Sequence, residues 1–287
     1  MICVSLSGGL GNQIFQWAFG LWLESKGFKV VYDISSFEND AKREFELPED
    51  CIKYGRIAVF KKNLLSGFVR KVWKKGYLRC EGYKYVSEDF FDVSSLNKSD
   101  KYYIQGEFQN WLYARHSSKY IRNKLSHALI DRKMYDDWFH TFEDKYKDYL
   151  RVAIHIRRGD YVTDSISSNF HGVMPIDYYI NAINRISDGQ PVCVVPYSDD
   201  IEWVINNFPL SEKDTLILPP KDVNNSPFAD MYMMSLFDHK VIANSSFSWW
   251  GAMLGQDKEQ TVIAPSAWFN SDSDKSKPLR FEDWSWV

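Results

Sequence analysis

Two adjacent arginines at the end of a predicted buried strand are suited to binding an anion. They follow the apolar run 152–154 in the string His155-Ile156-Arg157-Arg158-Gly159-Asp160-Tyr161. Each guanidinium presents a fixed fork of donors that fits phosphate oxygens and does not lose its charge. Neighbouring strand residues point to opposite faces, so both arginines serve one ligand only where the strand ends and the chain turns, as at Gly159. This pattern predicts a diphosphate site, and the alternative is a solvated pair bound to Asp160.

A hydroxyl-rich loop follows another predicted strand, at 241–243. The loop and the helix that it enters read Asn244-Ser245-Ser246-Phe247-Ser248-Trp249-Trp250. Hydroxyls and backbone N–H groups at a helix N-terminus bind anions without a metal ion, although a serine there is also a common helix cap. Because both motifs follow strands of one predicted parallel sheet, they are expected to converge.

Three further aspartates stand where polar ligands are bound. Asp199 and Asp200 follow a third strand and are expected either to accept from sugar hydroxyls and steer a nucleophile, or to begin a helix. Asp230 offers two adjacent acceptors, which suit the N1–H and 2-amino groups of guanine. The triplet 272–274, Asp-Ser-Asp, lies in a polar run predicted to be a loop. Arginines rather than a metal ion are therefore expected to neutralise the diphosphate.

A glycine-rich loop, 8–13, separates the first predicted strand from the first helix. It reads Gly8-Gly9-Leu10-Gly11-Asn12-Gln13. Its glycines let the backbone approach a ligand at the helix N-terminus. A nicotinamide-dependent oxidoreductase is the alternative, because Asp33 ends the next strand at a suitable distance. Ile14 replaces the third glycine of that fingerprint, and an oxidoreductase leaves the two arginines unexplained.

Length, charge and cysteine spacing limit the classes of protein to which the chain can belong. The 287 residues suffice for one large or two medium domains. A net charge of −3, without a recognisable motif, gives no reason to expect nucleic acid as a partner. The four cysteines lack C-x-x-C spacing, so neither zinc nor a disulfide framework is expected. There is no signal-peptide pattern and no apolar run long enough to cross a membrane, so we expect a cytoplasmic protein.

Alternating strand and helix patterns define the predicted fold. The chain begins β-α-β, with a helix at 13–26 and a strand at 28–32, followed by an irregular stretch at 87–109 and a helical one at 112–146. Later strands are predicted at 152–156, 192–197, 216–218, 241–243 and 261–264, and helices at 176–186, 201–207, 228–237 and 247–254. Such alternation indicates parallel sheets. We predict an α/β fold of two Rossmann-like domains facing a cleft, 1–148 and 149–287.

The segment 51–80 is basic and contains no acidic residue. Its nine lysines and arginines alternate with large apolar residues. Such a pattern is typical of a solvated helix with one face in the core, and it also suits docking on an anionic membrane surface. Both readings stay open at this point.

The three motifs together resemble the α-1,2-fucosyltransferases, glycosyltransferase family 11. The resemblance spans nearly the whole chain, and the string 246–252, Ser-Phe-Ser-Trp-Trp-Gly-Ala, is its most specific part. It implies a GT-B-type fold, no metal ion or other cofactor, and GDP-β-L-fucose as the donor. It further implies inverting transfer of fucose to the 2-hydroxyl of a terminal galactose.

The resemblance also implies residue roles. Arg157 would bind the donor phosphate, with Arg158 beside it either holding the site together or sharing that charge. His155 and Asp230 would contact guanine. Donor contacts are further implied for Ser245, Ser246, Phe247 and Ser248, and an acceptor or cleft position for Gly11, Asn12 and Gln13. For the base that inversion requires, Asp160 is our first candidate and Asp199 our second. The carboxyl-terminal domain would bind the donor and the amino-terminal domain would lie on the acceptor side.

Other functions remain as alternatives to this reading. A protein O-fucosyltransferase or a transferase of another GDP-sugar would use the same donor site with a different acceptor. A catalytically silent carbohydrate-binding protein with the same fold is another alternative, but it would not need side chains that bind a diphosphate. A bacterial-type enzyme of this kind is expected to modify a lipid-linked surface polysaccharide at the inner face of the plasma membrane, where the 51–80 segment would make a peripheral contact.

Overall fold

The computed structural model describes most of the chain as two compact units. The described residues are 1–55, 82–159, 162, 172–221, 224, 226–255, 259–269 and 274–287. Asp160 and most of the basic segment 51–80 lie outside these ranges, so the predictions made for them are not addressed by the structure. The two units comprise Met1–Ser117 and Ser118–Val287.

A parallel sheet forms the centre of the first unit. Its described strands are β1 (Ile2–Ser5), β2 (Val30–Asp33), β3 (Tyr54–Gly55), β4 (Tyr83–Ser87) and β5 (Lys101–Gln105), in the spatial order β3-β2-β1-β5-β4. Helix α1 (Leu10–Ser25) connects β1 to β2. Because β1 has a strand on each side, all four of its residues are buried. Helix α2 (Trp111–Ala128) begins in this unit and continues into the second.

A second parallel sheet organises the other unit. Its described strands are β6 (Leu150–Ile156), β7 (Val192–Ser198), β8 (Thr215–Leu216), β9 (His239–Val241), β10 (Thr261–Ala264) and β11 (Ser285–Trp286). Their spatial order is β8-β7-β6-β9-β10-β11. The chain therefore moves outward from β6 in one direction and, starting at β9, in the other. This is the strand order of a doubly wound dinucleotide-binding sheet.

Five more helices lie in the second unit among the described residues. They are α3 (Arg132–Lys145), α4 (Ile176–Ser187), α5 (Ile201–Asn207), α6 (Ala229–Leu236) and α7 (Ser246–Met253). Within the ranges that the structure covers, none of the helices has both the length and the apolar character needed to cross a bilayer. The α/β prediction, with two Rossmann-like parallel sheets, is confirmed.

The units divide earlier along the chain than the boundary at residue 148 that we predicted. Helix α3 packs against the second unit, where Phe139 and Phe142 contact Phe237 with ring centroids 5.1 and 5.7 Å apart. The Tyr232 hydroxyl also donates to the Asp136 carboxylate at 2.5 Å. Helical periodicity shows that α3 has an apolar face but not which sheet this face covers. In the structure, α3 belongs to the second unit.

Candidate active site

The two predicted anion-binding motifs lie at the point where the strand order of the second sheet reverses. β6 pairs in parallel with β9 on one side and with β7 on the other, so their carboxyl ends share one edge. Arg157 follows β6, and Asn244 and Ser245 follow β9. Ligands of doubly wound sheets bind in the crevice outside the strand carboxyl ends at this switch point. The predicted convergence is thus observed.

Arg157 is held in place by an aspartate from the neighbouring strand. Its Nη1 lies 2.8 Å from Oδ2 of Asp199, which follows β7. The other oxygen of Asp199 accepts from the backbone N–H of Arg158 at 2.9 Å. The side chains of the ion pair are 23% and 25% exposed, so it is partly shielded from water. Asp199, our second candidate for the base, is therefore bound to both arginine positions.

Arg158 is fixed by a different set of contacts. Its Nε donates to Asp200 at 3.0 Å, and its guanidinium carbon lies 3.6 Å from the centre of the Trp203 ring. Asp200 also caps α5 by accepting from the N–H of Trp203 at 3.3 Å. Arg158 thus links β6 to α5 through Asp200 and Trp203. No sequence signal pointed to Trp203, because this contact joins residues far apart in the chain.

The start of α7 supplies the second group of donors. The N–H groups of a first helical turn have no acceptor inside the helix. The hydroxyl of Ser245 accepts one of them, that of Phe247, at 3.3 Å. The Ser248 hydroxyl is fully buried and lies 3.2 Å from the carbonyl oxygens of Ala243 and Ser245. In this structure, then, Ser248 stabilises the helix start, while Ser246 and Phe247 are partly exposed.

His155 and Tyr197 are two buried side chains next to these motifs. They are register partners on β6 and β7, and their side chains share one face of the sheet. The imidazole lies 5.5 Å from the Phe247 ring, centroid to centroid, which joins the two motifs. Both side chains are buried, and neither His155 Nδ1 nor the Tyr197 hydroxyl has a hydrogen-bond partner among the described residues. Burial, and then the nearby Asp230 carboxylate, raise the pKa of Tyr197 well above its usual value.

Replacing Tyr197 with phenylalanine is expected to raise the free energy of unfolding by about 1 kcal/mol, because it removes a buried hydroxyl that forms no hydrogen bond. The matched control is Tyr178→Phe. The Tyr178 hydroxyl is also buried but donates to the carbonyl oxygen of Ile242 at 2.7 Å, so its loss should destabilise by a similar amount. Urea unfolding of both variants measures whether Tyr197→Phe stabilises the protein and Tyr178→Phe destabilises it. Equal destabilisation would contradict the assignment.

His155 makes stability depend on pH. Burial, followed by the charge of Arg157, lowers the pKa of His155 to about 3 from its ordinary value of 6.5. Below pH 6.5 the unfolded chain therefore binds a proton that the folded chain does not, so stability is full above pH 6.5 and falls as the pH drops towards 3.

We expect His155→Asn to weaken this pH dependence between pH 6.5 and 4, as measured by urea unfolding. Some loss of stability should remain, because burial lowers the pKa of His239 as well. Identical pH profiles for the wild type and the variant would show that His155 is not the group responsible.

The glycine loop of the first unit is held by amide side chains. Gln13 is fully buried: its Nε2 donates to the carbonyl oxygens of Gly8 and Glu44 at 3.0 and 2.8 Å, and its Oε1 accepts from the N–H of Glu46 at 3.0 Å. Gln13 is thus part of the scaffold. Gly11 is buried as well, whereas Asn12 is partly exposed and accepts from Gln109 at 3.0 Å.

Asp33 does not have the environment that a dinucleotide site needs. It is fully buried and accepts hydrogen bonds from the hydroxyls of Ser35 and Tyr103 at 2.8 and 2.9 Å. A ribose-binding carboxylate must be open to its ligand. The oxidoreductase alternative therefore has no support at this position.

Comparison with known proteins assigns the chain to a family. A family model described as Glycosyl transferase family 11 matches residues 1–287. The chain belongs to glycosyl transferase family 11. The resemblance inferred from the three motifs is confirmed, and the protein is a glycosyltransferase.

Two Escherichia coli proteins resemble this family 11 glycosyltransferase over nearly their whole length. The O-antigen biosynthesis glycosyltransferase WbnK is 32% identical over 97% of this chain and 98% of its own, and an alpha-1,2-colitosyltransferase is 29% identical over 95% and 93%. The solved fucosyltransferase NodZ from Bradyrhizobium is similar in structure, with a TM-score of 0.51 and 11% identity over 88% of this chain and 93% of that one. This last likeness concerns the fold, and it agrees with the predicted GT-B type.

Proposed function

We propose that this glycosyltransferase moves L-fucose from GDP-β-L-fucose to the 2-hydroxyl of a terminal galactose, with inversion and without a metal ion. The observation that carries the proposal is the clamp of Arg157 and Asp199 beside the start of α7, at the switch point of the second sheet. Membership of family 11 supports the transfer chemistry. The α-1,2 linkage in the name of one relative supports the position of transfer.

The clamp suits the charge that develops when the donor breaks. As the bond between fucose C1 and the phosphate oxygen lengthens, negative charge collects on the leaving GDP and positive charge on the sugar. Fixed donors aimed at the leaving phosphate lower the barrier most, because they need no rearrangement at the moment of reaction. The Arg157 guanidinium and the first-turn N–H groups of α7 are such donors. Together they can balance the diphosphate charge without a metal ion.

Inversion also requires the galactose hydroxyl to lose its proton as it attacks. Asp199 is fixed by two hydrogen bonds to the arginine positions, so we assign to it the positioning of Arg157. Asp160 remains our proposed base, directly or through a water molecule. His155 and Asp230 are proposed to contact guanine, since both lie close to the switch point and to Tyr197.

A colitose donor is the second candidate, because one relative is named for that sugar. Colitose is L-fucose without its 3-hydroxyl, so the same diphosphate clamp would serve either donor. The name of the other relative supports an O-antigen glycan as the acceptor. We therefore propose a lipid-linked surface polysaccharide at the inner face of the plasma membrane, with segment 51–80 in peripheral contact.

The test is a transfer assay with matched donors and acceptors. Purified protein is given GDP-fucose, GDP-colitose or GDP-mannose with lactose or N-acetyllactosamine, with and without EDTA, and GDP release and product linkage are measured. Transfer of fucose to galactose O2 as the α anomer, unchanged by EDTA, is the expected result. A preference for GDP-colitose would select the second candidate, and loss of activity in EDTA would refute the metal-independent mechanism.

A further inference from the structure

The first unit has a switch point of its own. In the order β3-β2-β1-β5-β4, the chain moves from β1 to β2 and β3 on one side and reaches β5 and β4 on the other. The carboxyl ends of β1 and β5 therefore meet where the order reverses, and such points bind ligands in doubly wound sheets. The loop after β1 leads into α1 and Asn12, and the loop after β5 contains Glu107 and Gln109.

The loop after β5 is held rigidly by a carboxylate. The two oxygens of Glu88 accept from the backbone N–H groups of Glu107 and Phe108 at 2.7 and 3.0 Å. Phe108 has a left-handed backbone with φ of 51°, which is costly for a bulky residue. Its ring is buried and stacks on Phe19 with centroids 3.8 Å apart. This anchoring fixes the backbone on either side of Phe108.

A buried glutamine connects this loop to the loop after β1. The Oε1 of Gln16 accepts from the N–H of Ser7 at 2.9 Å, and its Nε2 donates to the carbonyl oxygen of Gly106 at 3.0 Å. A second hydrogen bond joins the same two segments, from Gln109 Nε2 to Asn12 Oδ1 at 3.0 Å. Gln109 and Asn12 are partly exposed, and Glu107 is exposed. The start of α1 and the loop after β5 thus present two amide side chains and a carboxylate on a fixed backbone.

We propose that Gln109 and Glu107, with Asn12, bind the hydroxyl groups of the acceptor sugar. Amides both donate and accept, and a carboxylate accepts from two hydroxyls at once, which is the pattern a sugar ring presents. A transferase binds two substrates, and the arginine clamp at the switch point of the second unit suits the anionic donor. The amide and carboxylate groups at the switch point of the first unit suit a neutral glycan. This inference rests on the proposed function and adds the residues that select the acceptor.

Steady-state kinetics of Gln109→Ala and Glu107→Gln test the proposal. Each variant should raise the KM for lactose or N-acetyllactosamine about 10-fold, the effect of losing one good hydrogen bond. The KM for the donor and the slow hydrolysis of the donor without acceptor should stay within about twofold of wild type, because the residues proposed to bind the donor all belong to the second unit. Gln190→Ala and Asp89→Asn are the matched controls, since both side chains are exposed and neither belongs to this loop pair.

Glu88→Gln separates positioning from a purely structural role. The amide cannot accept both backbone hydrogen bonds as the carboxylate does, so the loop should loosen and the KM for the acceptor should rise. A purely structural role would lower the melting temperature and leave the ratio of acceptor KM to donor KM unchanged.

Binding measurements keep this inference separate from the proposed function. If the wild type transfers sugar but Gln109→Ala and Glu107→Gln keep the wild-type acceptor KM, the inference is wrong and the function stands. If the wild type transfers to no galactoside, binding of lactose in the presence of GDP is followed by ligand-observed NMR. Binding that Gln109→Ala abolishes would support the inference without the activity. No binding to the wild type would overturn the inference.

Discussion

Replacing Arg157 with alanine is expected to lower kcat/KM for sugar transfer by about 10²- to 10³-fold, the usual effect of removing one fixed donor to a developing negative charge. The free energy of unfolding should fall by about 1–3 kcal/mol, because the side chains of the ion pair are only 23% and 25% exposed and its loss leaves the Asp199 carboxylate without its charged partner. Arg157→Lys should recover only part of the activity. Lysine keeps the charge but cannot hold Asp199 and a phosphate oxygen through one rigid fork.

The control is Arg185→Ala, an exposed arginine in the last turn of α4. It changes the net charge equally and should leave kcat/KM unaltered. Isothermal titration with GDP shows whether the loss for Arg157→Ala is already present in nucleotide binding. If Arg157→Ala loses less than about 10-fold in kcat/KM, the leaving phosphate is not bound at this position and the proposed donor site is wrong.

Most elements of the second unit could be predicted from the sequence, because strand and helix patterns alternate regularly there. Strand β10 and helix α5 lie at the predicted residues, and α4 extends one residue beyond its predicted end. Proline before α4 and short apolar runs mark these elements clearly. Strand β9 was predicted at 241–243 and lies at His239–Val241, because its pairing with β6 and β10 decides where it begins.

The first unit contains a strand that the sequence analysis missed. Residues 87–109 were predicted to be irregular, but β5 runs from Lys101 to Gln105 and pairs with both β1 and β4. Its sequence, Lys-Tyr-Tyr-Ile-Gln, neither alternates nor forms a long apolar run. It is a strand because it lies next to β1, and three of its five residues are buried there. Such tertiary pairing outweighs local pattern in short strands.

Residue types indicated where the candidate site lies but not its internal contacts. Arginines after β6 and serines at the start of α7 were recognisable because strand ends and helix starts are encoded locally. The pairing of Asp199 with Arg157 and of Asp200 with Arg158 depends on the register of β6 and β7. Gln13, predicted to lie near the acceptor, is buried and bonded to the backbone. Gln13 is next to Asn12 in the sequence, and nothing in the sequence indicated that Gln13 is buried while Asn12 is partly exposed.

Gly159→Ala is the second change expected to reduce activity strongly, by about 10²-fold in kcat/KM. A Cβ atom at this position would lie 2.4 Å from Oδ2 of Asp199, the oxygen that pairs with Arg157. Asp199 must move to relieve this clash, and the Arg157 guanidinium then loses its orientation. Displacement of a reacting or binding group by about 1 Å costs about 10²-fold in rate. The control is Gly55→Ala, where no atom of the described residues lies within 4 Å of the added atom.

A double-mutant cycle tests whether Gly159→Ala lowers activity through Asp199. In a chain that already carries Asp199→Ala, the added methyl group of Gly159→Ala no longer meets a carboxylate, so it should cause little further loss of activity. The two changes would then be strongly non-additive, as expected for groups in contact. Additive losses would mean that the methyl group blocks the donor directly. In that case Gly159 would line the phosphate site itself, and its effect on activity would not pass through Asp199.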